Sequence, residues 1–142
     1  MKTALTRELM DRMMDEHFGY EANDDVEGVL ATLSDDAKHD VVGWPHGPSH
    51  GREKARPFYE TMFSDLADGQ VTCVERLYGE DFLVDESVWK GTAPGQPFGL
   101  EGGGRPVEFR LLHVMQFTDA GQIRRESVWI DLAAIIQQLP QV

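Results

Sequence analysis

The stretch VEFRLLHVMQFTDAGQIRRESVWIDLAAIIQQ, residues 107–138, reads as a long strand, a tight turn, a second long strand and at once a helix. Phe109, Leu111, His113, Met115 and Phe117 alternate with Glu108, Arg110, Leu112, Val114 and Gln116, a period of two that marks a strand with one strongly apolar face. Thr118-Asp119-Ala120-Gly121 supplies the turn. Counting on by twos puts Ile123, Arg125, Ser127, Trp129 and Asp131 on one face of the return strand, with Val114 and Val128 on the outer sheet face. Leu132–Leu139 then begins a helix with Asp131 at its mouth. His113 and Asp131 are polar groups on otherwise apolar faces, so any chemistry is expected near them.

Outward from this hairpin, the 142 residues fit one domain, 1–142, with room for a core and a pocket. A net charge of −12 argues against nucleic acid or an anionic membrane as partner, because phosphates are repelled, and it also serves solubility. The single cysteine, Cys73, excludes an internal disulfide, fits a reducing compartment, and reads as a small packing residue. The first residues carry Lys2, Arg7, Glu8, Asp11 and Arg12 before any apolar run, so no signal peptide is expected. No uncharged apolar run approaches 18 residues. A cytoplasmic, soluble protein is the expectation.

Thr6 to about Tyr20 has helical spacing, with Leu9, Met10, Met13, Met14, His17 and Phe18 in an apolar band. Asp24-Asp25-Val26-Glu27 opens a second helix with a capping-box arrangement and a stripe of Val26, Val29, Leu30 and Leu33. It is not a calcium loop, since Ser34 stands where the closing glutamate is needed. Lys38–Trp44 reads as a short strand. His46 and His50, four apart, would share a metal only on a helix, which Pro45, Gly47, Pro48 and Gly51 prevent. With His39 they read as histidines without a metal, His46 or His50 lining a pocket mouth. Arg52 to about Leu66 is a third helix, with Pro57 near its first turn. Val71–Tyr78 and Phe82–Lys90 form a hairpin about Gly79-Glu80-Asp81, and residues 91–106 make a long loop, expected to be flexible and to lie over a pocket. Its EGGGR lacks the ending of a phosphate loop. Early helices followed by antiparallel strands predict an α+β domain, helices packed on one face of a strongly curved sheet, with a conical space between.

The run GTAPGQPFGLEGGGRPVEFRLLHVMQFTDAGQI, closing in W-x-D-L with Gln138-Leu139, resembles the SnoaL-like polyketide cyclases of the nuclear transport factor 2-like superfamily. The matching positions are Gly91-Thr92, Gly95 to Gly99, Gly104-Arg105, Asp119, Gly121 to Ile123, Trp129, Asp131 and Gln138-Leu139, and GREKARPFYETMF resembles the family's third helix. The resemblance spans about Asp11 to Leu139. It implies a cone-shaped antiparallel (mixed) sheet of the cystatin-like α+β barrel kind, a homodimer, and a small hydrophobic molecule as ligand. It also implies a cofactor-free intramolecular aldol ring closure in which Asp131 is the acid/base, assisted by His113. EGGGR and the extra Ala120 depart from the pattern.

Each candidate also has a plainer role. Asp131 is a favoured N-cap, worth about 1 kcal/mol. His113 could be a core histidine bonded to a neighbour. Glu86 faces the pocket only if Val84 and Val88 face in, and the parity of Leu83 and Trp89 is equally readable. Trp44, Tyr59, Met62, Met115 and Trp129 are candidate substrate contacts or ordinary core. A cyclase or related lyase/isomerase without metal or cofactor, a non-catalytic binding protein, and an epoxide hydrolase-like enzyme built on Arg125 and Asp131 are the readings carried forward.

Overall fold

The structure, a computed structural model, describes residues 5–45 and 47–141. The element order is α1 (Arg7–Ala22), α2 (Val26–Ala31), β1 (Leu33–Val42), β2 (Ser49–His50), α3 (Arg56–Asp65), β3 (Ala67–Tyr78), β4 (Phe82–Ala93), β5 (Arg105–Phe117), β6 (Ile123–Ile130) and α4 (Leu132–Gln138). A short 3-10 turn, Arg52–Ala55, leads into α3, whose second residue is Pro57, a place where its missing N–H costs nothing. Thr6 caps α1 by accepting from Leu9 N at 3.1 Å. Asp25 rather than Asp24 caps α2, through Gly28 N at 2.9 Å. Asp24 instead takes a left-handed backbone, φ 53°.

One six-stranded sheet has the order β2-β1-β6-β5-β4-β3, with β1 and β6 parallel and every other pair antiparallel. It is a mixed sheet and it does not close, so the barrel expected from the resemblance is an open one with β2 and β3 at its edges. Leu33, read as part of a helical stripe, begins β1 instead, and β1 starts five residues before the expected strand. Met10, Met14, Leu30, Leu33, Tyr59 and Met115 are almost fully buried in one core between the helices and the sheet. A second cluster of Phe109, Leu100, Ile135 and Leu139 seats α4 against the far end of β5. Each large side chain so buried stabilises by about 1.5–3 kcal/mol before ordering entropy is subtracted.

One irregularity decides what faces inward. Gln116 pairs with Arg125 and Phe117 with Ile123, so Arg124 is an extra residue on β6. Ile123 faces the core, but beyond the bulge the parity is reversed. Glu126 and Val128 turn inward, while Trp129, 40% exposed, turns out. The expected face of Arg125, Ser127 and Trp129 is therefore not the continuation of the Ile123 face, and Val128 lines the interior instead of the outer surface. On β4 the inward set is Leu83, Asp85 and Ser87, each fully buried. Glu86 belongs to the other parity. Cys73 is exposed on β3, not packed.

The loop between β4 and β5 is pinned. Gly102 N donates to Gly95 O, Gly104 N to Ala93 O and Glu101 N to Pro140 O. A Cβ at Gly102 would lie 2.1 Å from Ala93 O, so the backbone approach here requires glycine.

Candidate functional site

The concave side of the sheet and the helices line an open-mouthed cavity of about 750 Å³. Phe18, Trp44, Phe58, Met62, Phe109 and Ile130 give it apolar walls, and Pro97 and Phe98 of the pinned loop close one side. Trp44 stacks edge-on to Phe58 and Phe98, with ring centres 5.0 and 5.2 Å apart. Polar side chains also reach the wall from the sheet: Gln70, Thr72 and Arg76 from β3, His113 from β5 and Glu126 from β6.

Glu126 is 1% exposed, a position a lone carboxylate could not hold. Donors from two helices make it tenable. Tyr59 on α3 donates its hydroxyl to Oε1, and His17 Nε2 on α1 lies 2.9 Å from Oε2. Thr32 Oγ1 donates to Val29 O, so it accepts from His17 Nδ1–H at 2.7 Å. Both ring nitrogens of His17 are then donors, and the ring is an imidazolium. Burial alone would pull its pKa down. The charges of Glu126 and Glu21, with hydrogen bonds to both, outweigh burial and raise it to about 10. Burial pushes Glu126 up, but the charge and hydrogen bond of His17 win and hold it below the usual glutamate range. Burial, Glu126 and Glu21 raise Tyr59 well above the ordinary phenol value, so its O–H persists.

Two further histidines approach the same carboxylate. His39 Nε2 on β1 is 3.5 Å from Oε1, and His113 Nε2 is 3.9 Å from Oε2. Burial lowers the pKa of each, against the pull of Glu126. Both are therefore neutral near pH 7. His113 Nδ1 and His39 Nε2 make no hydrogen bond among the described residues. The only described donors close enough to share one cation are His17, Glu21 and Glu126.

A pH dependence of stability follows. His17 has a folded-state pKa above its unfolded value, so its contribution is complete below about pH 6.5 and is lost progressively as pH rises toward about 10. Urea melts in EDTA-containing buffer are expected to lose about 1.4 kcal/mol for each pH unit above 7. His17→Gln is expected to flatten that slope. An equally steep slope in the variant would assign it elsewhere.

The residues singled out in the sequence divide sharply. His113, Trp44 and Met62 line the cavity. Tyr59 lies behind its wall, holding Glu126. Met115 is core, 0% exposed, and Trp129 and Glu86 belong to the other side of the sheet. His46 lies outside the described residues, and His50 is exposed on β2. Asp131 is not in the cavity wall; its carboxylate caps α4 by accepting from Ala134 N at 3.2 Å. Asp131→Ala is accordingly expected to cost about 1 kcal/mol in a denaturant melt. Arg125 donates to Ser127 Oγ at 2.9 Å, and no ion pair joins it to Asp131 among the described residues. Arg76 bonds Asp11, Asp15 and Asp85 at 2.7–2.9 Å, clamping β3 to α1 and β4.

Sequence reasoning missed Glu126, His17 and His39. His39 was legible, because Ala37, His39 and Val41 alternate inward along β1. The i, i+4 pair of His17 and Glu21 was a second signal.

A family model described as SnoaL-like polyketide cyclase matches residues 8–139. No curated protein matches the chain in sequence. Among solved structures, TsrD from Streptomyces laurentii superposes with a TM-score of 0.80 at 19% identity, covering 94% of this chain and 96% of that one. An NTF2-like protein of unknown function from Burkholderia pseudomallei gives 0.76 at 20% identity, covering 92% and 97%. An LEH-like epoxide hydrolase from M. tuberculosis gives 0.71 at 19%, covering 94% and 90%. These likenesses show the fold, which is NTF2-like.

Proposed function

The chain belongs to the SnoaL-like polyketide cyclase family, and from that premise we propose that it acts by acid–base chemistry on a small hydrophobic carbonyl compound, as a cyclase or a related lyase or isomerase. The observation that supports this most is a neutral imidazole, His113, on the cavity wall edge-on to Phe18, with Nδ1 buried and unbonded among the described residues and Nε2 facing a fixed carboxylate at 3.9 Å. In this reading His113 Nδ1 takes a proton from the carbon next to the substrate carbonyl. Glu126 stabilises the imidazolium that forms, as an opposite charge does in a low-dielectric site. Tyr59 and His17 keep Glu126 an anion oriented for that task. The proton returns from His113 to the new alkoxide after ring closure. Asp131 holds α4 in place and moves no proton. A second copy would pair through the outer sheet face, where Leu112 and Trp129 are 37% and 40% exposed.

The test needs no knowledge of the natural substrate. Hydrogen–deuterium exchange at the α-carbon of an aryl alkyl ketone, followed by NMR in D2O, is expected to be accelerated by the protein. A second reading, ligand binding without turnover, draws on the occupation of both Glu126 oxygens by donors. If the ketone quenches the tryptophan fluorescence, to which Trp44 and Trp89 of the cavity wall contribute, yet exchange runs at the buffer rate, binding is the function.

A further inference from the structure

We propose that the inner end of the cavity is a site for a divalent transition-metal ion of the zinc or cobalt class, held by His17 Nε2, Glu21 Oε1 and Glu126 Oε2. His39 would complete the set. This goes beyond the acid–base reading and does not depend on it.

Four observations carry the assignment. The first is spacing. Nitrogen and oxygen donors about 2.1 Å from one ion stand roughly 3.0–3.4 Å apart. His17 Nε2 is 3.1 Å from Glu21 Oε1 and 2.9 Å from Glu126 Oε2, and all three atoms lie within 4.8 Å of one another. The second is a buried donor with nothing to bind. His39 is 5% exposed, its Nε2 has no hydrogen-bond partner among the described residues, and it lies 3.5 Å from Oε1 of Glu126, the other oxygen of the same carboxylate. The third lies behind the ligand: Nδ1–H of His17 is fixed on Thr32 Oγ1 at 2.7 Å, leaving Nε2 as the coordinating atom, as outer-shell bonds do for metal-bound histidines. The fourth is access, because Glu21 and Glu126 both form part of the cavity wall.

The charges also balance. Two carboxylates and one imidazolium leave the cluster at −1. A divalent ion that displaces the Nε2 proton of His17, which leaves to solvent, brings it to zero. Mixed imidazole and carboxylate donors suit zinc, cobalt or nickel and not calcium.

The full chain, stripped with a chelator and dialysed, would be titrated with ZnCl2 by calorimetry and weighed by native mass spectrometry. Cobalt would be added in parallel and its visible ligand-field bands recorded. One ion per chain is expected, with a micromolar or tighter Kd. Glu21→Gln, a change at the half-buried helix surface, is expected to weaken binding at least tenfold. Thr32→Val is expected to weaken it about tenfold through the lost support of His17. His17→Gln should abolish it; if that variant does not fold, the other two decide. Failure of the parent chain to take up one ion overturns the proposal. So does uptake that Glu21→Gln and Thr32→Val leave unchanged, which would place the ion elsewhere.

Discussion

Glu126→Ala is expected to destabilise the protein by roughly 3–5 kcal/mol, a fall of about 10 °C or more in Tm. The size follows from what the substitution leaves behind. His17, fully buried, would keep a charge facing no anion on the sheet side, and Tyr59 would keep a hydroxyl with no acceptor. The vacated volume adds a cavity cost. Glu126→Gln keeps the shape and an acceptor for Tyr59, so it is expected to cost less than the alanine variant. Thermal denaturation at pH 6.5 with calorimetric detection measures both. An alanine variant melting within 2 °C of the parent would mean that the carboxylate does not hold α1 and α3 to the sheet.

The second large effect concerns turnover. His113→Asn is expected to lower ketone proton exchange by about 10²–10⁴-fold, the usual contribution of a positioned general base. Ligand affinity read from tryptophan fluorescence is expected to stay within about threefold. The separation matters because His113 lies edge-on to Phe18, with ring centres 5.1 Å apart, and a purely structural role would disturb binding and exchange together. Exchange by the variant at the parent's rate would remove His113 from the reaction. Asp131→Asn is expected to leave exchange unchanged, since its carboxylate is spent on the α4 backbone.

Most of the scaffold could be read from residue periodicity, and the reason is visible in the structure. β5 buries Val107, Phe109, His113, Met115 and Phe117 and leaves Arg110 and Leu112 outside, so its alternation is unbroken from Val107 to Phe117. The apolar band of α1 likewise became the buried set Met10, Met13, Met14 and His17. The site was less legible because alternation says which residues share a face only while the register holds. The extra residue at Arg124 ends that guarantee halfway along the hairpin. Counting through it promoted Trp129 and Asp131 and hid Glu126 within RRES, where a charged run looks like solvated surface. Tyr59 was picked out for its ring, but its part is played by the hydroxyl, whose acceptor lies 67 positions away. Partners that distant leave no local pattern.

The bulge on β6 also works as a selector of chemistry. Because the strand's side chains point alternately to the two sides, pairing Arg124 straight into the ladder opposite Gln116, with no residue set aside, would rotate everything after it by half a turn. Arg125, Ser127 and Trp129 would swing into the hollow, and Glu126 would be carried to the outside. A pocket floored by an anion and histidines would become one floored by a guanidinium, a hydroxyl and an indole, with every helix where it was. In this architecture a one-residue slip of register recasts the lining of the hollow more completely than any single substitution, whereas deleting Arg124 would only straighten the strand, leaving Ile123 opposite Phe117 and Glu126 opposite Met115.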